Sequence, residues 1–495
     1  MSSKLKYLSS KCGSGKGVYA TSEIKNEIET LGNFHLVVMP TKQLINQFKS
    51  DYKKFCDNVK VVVSSDDDFT KNQALLPRIK KSLSEKTSHI VMITEKMFYR
   101  IDPCLLKDWK IWIDDCNKFC SLIVRGIGSD DQEEILSIYN KIFITSSDYV
   151  EISGDENDPV NFKYKSVTIN NEINLSDDTK GFYKVYREMR FYHQAVLLGD
   201  SLTGKVKQLV IAGWYDLTKY VNAGIDITYM SNDFEKSLLY KRWNHIFEKI
   251  DFKLDKQEEF NANDSRIDVK YFFDTTKYDR GLSKKMLVDE LDSNVKVVMK
   301  FLENELKDID FFWTSNDRSL FTLRGTKITP NQRGMNNLKD KKVCVFIAAM
   351  NAHPNSEAYL SDLFDFTLED MVQEYETETL YQFVYRSKIR DYSSAERVTV
   401  YVYDSDQAYS IPSGTVEKIE LGLKSTKSIG GRPSGINAPK ELKNRFGNWK
   451  TKNNNKADSM IKYHKWEGKQ RKNKEYKDVD FNQFKNQISV EPIRK

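Results

Sequence analysis

Ser10-Lys11-Cys12-Gly13-Ser14-Gly15-Lys16-Gly17 follows directly on the half-apolar run Leu5 to Ser9. Together they read as a short strand opening into a phosphate-binding loop. Glycines let the backbone curl so that successive N–H groups face an anion, the next helix offers its N-terminus, and a lysine reaches the terminal phosphates. A nucleoside triphosphate is the implied ligand, held by Gly13, Ser14, Gly15, Lys16 and Gly17; the competing reading is a plain Gly/Ser turn. The full pattern begins with Gly, where this chain has Ser10. It ends on Ser or Thr, whose hydroxyl binds magnesium, where this chain has Gly17.

The segments that follow favour the phosphate loop. Val18 to Leu31 has helical composition and Gly32 closes it. His35 to Met39 is a short apolar run followed by Pro40-Thr41-Lys42-Gln43-Leu44-Ile45-Asn46-Gln47. Further strands are expected at Asn58 to Ser64, His89 to Thr94, Trp109 to Ile113 and Lys141 to Thr145, with a helix over Asn72 to Glu85. Strands alternating with helices imply βαβ units, a parallel sheet and a ligand edge at the strand C-termini. Asp114-Asp115 ends one of those strands, where a nucleotide hydrolase needs one carboxylate for magnesium and a second for the attacking water.

These residues carry a resemblance to the first motor domain of superfamily 2 DNA/RNA helicases and translocases of the DEAD/DEAH-like kind. Their first motif resembles SKCGSGKG, the next is similar to Pro40, Thr41, Leu44 and Gln47, the acidic box to Asp114-Asp115-Cys116-Asn117, and the coupling motif to Thr145-Ser146-Ser147. The resemblance implies ATP and Mg2+ as cofactors. Lys16 would contact the β and γ phosphates, Asp114 the metal and Asp115 the water. Thr41, Lys42 and Thr94 would face a nucleic-acid strand, with Thr145 and Ser146 coupling the two events. Asp115 stands where the family has glutamate, one methylene longer.

A second α/β unit is expected from strands at Val269 to Phe273, Asp310 to Thr314, Lys342 to Met350 and Arg397 to Tyr403, with a helix over Ser283 to Leu306. The loop Asn331 to Asn337, with Gly334, is similar to the fifth helicase motif, which touches nucleotide and nucleic-acid backbone. Tyr381 to Arg390 is similar to the sixth, Q-x-x-x-R-x-x-R. On one helix Gln382, Arg386 and Arg390 would share a face four residues apart, from which arginines of the second lobe reach the γ-phosphate on the first. The plainer reading is an exposed basic helix pairing with Glu374 or Glu378.

Net charge is +6, unevenly spread. Between 424 and 477 there are 16 Lys and Arg against 4 Asp and Glu. Ile429 to Gly435 resembles the Gly-Arg-Pro core of minor-groove AT-hook segments and heads a Lys/Asn-rich tail with Phe446, Trp449, Tyr463 and Trp466 interleaved. Basic charge gives salt-sensitive phosphate contact and aromatics can stack on bases, so Arg432 and Trp449 are the candidates for nucleic-acid contact.

The expected architecture is α/β: RecA-like lobe 1 over 1–150 binding ATP, a linking or inserted subdomain over 151–264, RecA-like lobe 2 over 265–405, and a basic C-terminal extension over 406–495. The expected function is ATP-dependent nucleic-acid unwinding or translocation, with DNA ahead of RNA as partner. The alternatives are a weakly hydrolysing or non-hydrolysing nucleic-acid-binding protein on a helicase-like scaffold, or a RecA-like ATPase acting on protein. The layout is similar to that of compact replication-type helicases of phages and mobile elements. Six scattered cysteines without CxxC pairs argue against a zinc site. With no membrane-length apolar run and no signal-peptide layout, a cytoplasmic location is expected.

Overall fold

The computed structural model describes residues 4–63, 72–116, 118–126, 141–150, 164–170, 189, 192, 194–198, 208–252, 263–275, 293–316, 319, 322–330, 338–350 and 354–423. In the C-terminal unit it describes 442, 445–446, 448–450, 459–471, 476, 481 and 484.

The chain begins as βαβ units. β1 (Leu5–Ser9) leads into α1 (Lys16–Leu31), β2 (Phe34–Met39) into α2 (Lys42–Tyr52), and β3 (Val59–Val61) into α3 (Asn72–Glu85). β4 (Ile90–Thr94), the short α4 (Glu95–Phe98) and β5 (Trp109–Asp114) follow. The chain then leaves this sheet. β6 (Cys120–Gly126), β7 (Phe143–Val150), β8 (Tyr164–Ile169), β9 (Gln194–Leu198) and β10 (Gln208–Trp214) form a separate five-stranded sheet, antiparallel throughout, in the order β6-β10-β9-β8-β7. β11 (Ile227–Ser231) and β12 (Phe247–Lys249) return to the first sheet, completing seven parallel strands in the order β12-β1-β11-β5-β2-β4-β3.

Lobe 1 therefore differs from the expected division at 150/151. Its insertion sits between β5 and β11, and residues up to Lys249 belong to its sheet. The run expected as a fifth parallel strand, Lys141 to Thr145, starts β7 at the edge of the antiparallel sheet, with Ile144 exposed. The strand that takes its place beside β5 is β11, whose five residues are all buried. A strand covered by helices on both faces reads as a continuous apolar run, and Ile227-Thr228-Tyr229-Met230-Ser231 interrupts that run with polar atoms.

The second lobe comprises β13 (Ile267–Phe273), β14 (Phe311–Ser315), β15 (Thr326–Lys327), β16 (Val343–Ile347), β17 (Val398–Asp404) and β18 (Thr415–Lys418). They form a six-stranded parallel sheet in the order β15-β14-β16-β17-β13-β18. Its apolar faces pack separately, one against the helix Ser293–Glu305 and one against the helix Glu378–Val384. The architecture is α/β with two tandem RecA-like parallel sheets.

The segment between β16 and β17 crosses to lobe 1. Phe364, on the helix Pro354–Phe364, meets Phe119 and Trp214 edge-on at ring-centre distances of 5.5 and 5.4 Å. Leu360, Phe364, Phe366 and Met371 thereby join the lobe 1 core, so apolar packing ties the two lobes together.

Residues 425–495 form a compact unit of their own. Leu442, Phe446, Tyr463, Tyr476, Phe481 and Phe484 make its core, with Trp449 and Trp466 packed on it. The expected basic extension thus has an aromatic core of its own, on which Trp449 is partly buried. Trp449 lies 5.8 Å from Phe446 in a stacked pair and 6.0 Å from Trp466, because indole surface is best removed from water against other rings. Among the described residues no helix is long and apolar enough to cross a membrane.

Candidate active site

β1 delivers the phosphate loop to the C-terminal edge of the first sheet. Gly13 and Gly15 take positive φ angles of 79° and 93°, a conformation that other L-residues adopt with strain. Gly15 occupies the N-cap position of α1 with no side-chain cap, so the first amides of a sixteen-residue helix are left to an anion. Gly13 is also needed for space: a Cβ there would lie 2.4 Å from the Tyr392 hydroxyl. Lys16 is buried, and its Nζ donates to the carbonyls of Ser10 and Lys11, the latter at 3.0 Å.

Gly17 has a steric reason. A Cβ would stand 3.0 Å from two ring carbons of Phe48 on α2, so the hydroxyl-bearing residue of the phosphate-loop pattern would require this ring to move. The nearby hydroxyls have partners in the loop and the first turns of α1. Thr21 Oγ1 donates to the Gly17 carbonyl at 2.7 Å, and the Ser14 and Ser10 hydroxyls bond to each other.

β5 brings Asp114 to the same edge, and Asp115 turns off it at a φ of +51°. Its amide donates to the Met230 carbonyl of neighbouring β11 at 2.8 Å, a tie that stabilises the left-handed turn. Burial, with the Glu378 and Asp115 carboxylates adding to it, holds the Cys12 thiol well above its ordinary value. Cys12 is thus a neutral neighbour.

From the second lobe come Gln382, Arg386 and Arg390, although not from one helical face. The helix ends at Val384; Arg386 follows in a tight turn, and Arg390 lies in the 3-10 turn Lys388–Arg390. The buried Ser387 explains the break. Its hydroxyl donates to the Val384 carbonyl at 2.7 Å and accepts from the Ile389 amide, competing with the helical pattern. Arg266 holds this turn from behind, bonding the carbonyls of Lys388, Asp391 and Glu396 and the side chain of Asn263. The 4%-exposed Arg386 is thereby carried on a rigid support.

One cavity of about 1200 Å³ has Gly13, Gly15, Lys16, Gly17, Asp114 and Asp115 on one wall and Gln382, Arg386 and Arg390 on the other. Direct bonds join the walls. Tyr392 donates to the Cys12 carbonyl at 3.2 Å, and Asp264 accepts from both Lys11 and Tyr385. Gln382 Nε2 lies 3.5 Å from Asp115 Oδ2.

Thr41 and Lys42 follow β2, and Thr94 ends β4, on the same sheet edge but outside the cavity lining. Thr41 caps α2, its hydroxyl accepting from Leu44 at 3.2 Å; Thr94 occupies the N-cap position of α4 without a side-chain cap bond. Thr145 and Ser146 lie on β7, away from the phosphate loop's sheet. The strand end beside Asp114 is Ser231-Asn232. Gly334, Arg432 and Asn117 lie outside the described residues. Sequence reading missed Asn232, Asp264, Arg266 and Tyr392 as site residues, and gave Glu378 only as a partner for an exposed arginine. The available signal was positional, since Asn232 directly follows a strand and Glu378 sits one helical turn before Gln382.

Residues 244–406 match the family described as the YonV C-terminal Rossmann-like domain. That stretch resembles this family. The match takes in β13 to β17 and about a third of the chain. No curated protein matches the sequence. Among solved structures, Xpd4 of S. tokodaii is similar over 84% of this chain and 96% of its own, at 10% identity and a TM-score of 0.41. The DUF1998 helicase MrfA bound to DNA and AMPPNP is similar over 81% of this chain and 46% of its own, at 12% identity and 0.30. The DEAD-box helicase Mss116 bound to ssRNA and UDP-BeF is similar over 85% and 72%, at 11% identity and 0.33.

Proposed function

We propose that this protein is an ATP-dependent nucleic-acid helicase or translocase that hydrolyses ATP between its two lobes. The observation that carries the reading is the composition of one cleft: a phosphate loop and paired carboxylates facing Gln382, Arg386 and Arg390 across a single cavity. ATP suits the glycine-lined cradle, which side chains at Gly13 or Gly17 would fill. Magnesium suits Asp114, a carboxylate at the strand end lining the same cavity as the phosphate loop, since this ion is commonly held by one or two carboxylates together with substrate phosphates. When bound, the metal would neutralise phosphate charge. Lys16 would exchange its loop carbonyls for phosphate oxygens. Asp115 would orient and deprotonate the water, and Arg386 would offset the charge developing on the transferred phosphoryl group. Thr41, Lys42 and Thr94 would grip a strand at the sheet edge, and cycles of lobe closure would advance that grip. DNA ahead of RNA is the proposed partner.

The expected result is ATP hydrolysis stimulated by single- or double-stranded nucleic acid and abolished by Lys16→Ala. Arg386→Ala should lower kcat by about 10³-fold with KM for ATP changed only a few-fold. Turnover that is the same with and without nucleic acid would remove the motor reading. A second reading, ATP binding without hydrolysis, is favoured by the packing of Gly17 on Phe48; it requires bound ATP and no phosphate release.

A further inference from the structure

A second carboxylate serves the cleft from behind its wall. Glu378 lies one turn before Gln382 on the helix Glu378–Val384, so both side chains leave the same helix face. Its side chain is buried and stands outside the cavity lining to which Gln382 belongs. Its Oε1 accepts from Gln382 Nε2 at 2.8 Å, and its Oε2 accepts from Asn232 Nδ2 at 2.6 Å. The Gln382 nitrogen also faces Asp115 Oδ2. A chain of polar groups therefore runs Asn232, Glu378, Gln382, Asp115. It starts and ends on lobe 1, at the C-terminal ends of the adjacent strands β11 and β5.

We infer that Glu378 is a positioning residue for the hydrolytic step, acting through Gln382 on Asp115. This rests on the ATPase reading above. A glutamine amide can present either its NH₂ or its carbonyl to a neighbour. An acceptor-only carboxylate at Oε1 admits the NH₂ alone, so Glu378 decides which way the Gln382 amide is turned. One hydrogen goes to Glu378 and the other is directed at Asp115. Asp115 is a methylene shorter than the family's glutamate and projects from a left-handed turn, so its own reach is small. A donor facing Oδ2 orients the carboxylate plane toward the cavity. Asn232 completes the support by holding the other Glu378 oxygen. The second lobe thus sets the orientation of the catalytic carboxylate on the first.

The test is a double-mutant cycle on the full chain, reading kcat, KM and the affinity for a non-hydrolysable ATP analogue. Glu378→Gln frees the amide to turn and should lower kcat about 10-fold, with analogue affinity within about two-fold of wild type. In a Gln382→Ala background the same change should have no further effect, since the group through which Glu378 acts is gone. Should Glu378→Gln not fold, Asn232→Ala cuts the other anchor and should give a smaller kcat loss, likewise cancelled by Gln382→Ala. A purely structural role would instead shift the melting temperature and KM, and its losses would add to those of Gln382→Ala. Additive losses, or unchanged kcat with altered analogue affinity, overturn the role of Glu378 while wild-type turnover leaves the ATPase reading standing. Absence of wild-type turnover overturns both.

Discussion

Gly17 turns a departure from the motor pattern into a packing relation between two residues. Its missing side chain is matched by Phe48, whose ring comes within 3.0 Å of where a Cβ would stand. Restoring the hydroxyl of the phosphate-loop pattern alone should therefore harm the protein. Gly17→Thr places two further heavy atoms beside the Phe48 ring, an overpacking cost of about 1–3 kcal/mol, and should lower both the melting temperature and nucleotide affinity. Phe48→Ala added to it opens the space and should recover most of the melting temperature. The double variant should also hydrolyse ATP at lower magnesium concentration than wild type, because a hydroxyl ligand then stands at the head of α1. A magnesium titration of turnover in the two variants checks this, and an unchanged magnesium requirement in the double variant would show that the hydroxyl is dispensable here.

At the scale of elements, β2 carries a titratable group into the sheet. His35 is fully buried; its ring lies 3.6 Å from Glu27, which in turn accepts from Lys110 at 2.6 Å. Burial pushes its pKa down to about 4, the Glu27 carboxylate opposing and the Lys110 ammonium assisting the shift. The imidazole is thus neutral in the folded state and charges more readily in the unfolded chain, whose pKa is near 6.5. Its contribution to stability is complete above about pH 6.5 and is lost as pH falls toward 4. Between pH 7 and pH 5 this amounts to about 2 kcal/mol. His35→Leu should flatten that part of the pH profile in urea unfolding of lobe 1; an identical slope in the variant would assign the dependence elsewhere. The same strand shows what made the lobes legible from sequence. Short apolar runs ending in Pro40-Thr41 or Asp114-Asp115 announce a parallel sheet and its ligand edge, because covered strands must be apolar and their ends must be polar. β11 escaped because Thr228, Tyr229 and Ser231 are buried polar residues in a central strand, while one-sided β7 looked apolar enough to replace it. The end of the helix at Val384 escaped because its cause is the Ser387 hydroxyl, a local bond that competes with a periodicity favouring one long helix.

At the scale of the molecule, charge divides along the same line as the fold. Residues 425–495 carry 18 Lys and Arg against 7 Asp and Glu, while residues 1–424 carry 59 against 64. The basic unit has its own aromatic core, and that changes how it would meet nucleic acid. Trp449 packs against Phe446 and Trp466, and the unit's surplus of Lys and Arg is its main means of attracting phosphate. Its binding should then be governed by counterion release, sequence-tolerant and steep in salt, losing about 0.9 in the slope of log K against log salt for each phosphate contact removed. A chain ending at Lys424 should keep its basal ATP hydrolysis, since every residue of the cleft is retained, and should bind nucleic acid more weakly with a shallower salt slope. Trp449→Ala should unfold the basic unit, which a loss of protease resistance within 425–495 would register. If truncation leaves the salt slope unchanged, phosphate contact belongs to the lobes, and Thr41, Lys42 and Thr94 become the residues that carry it.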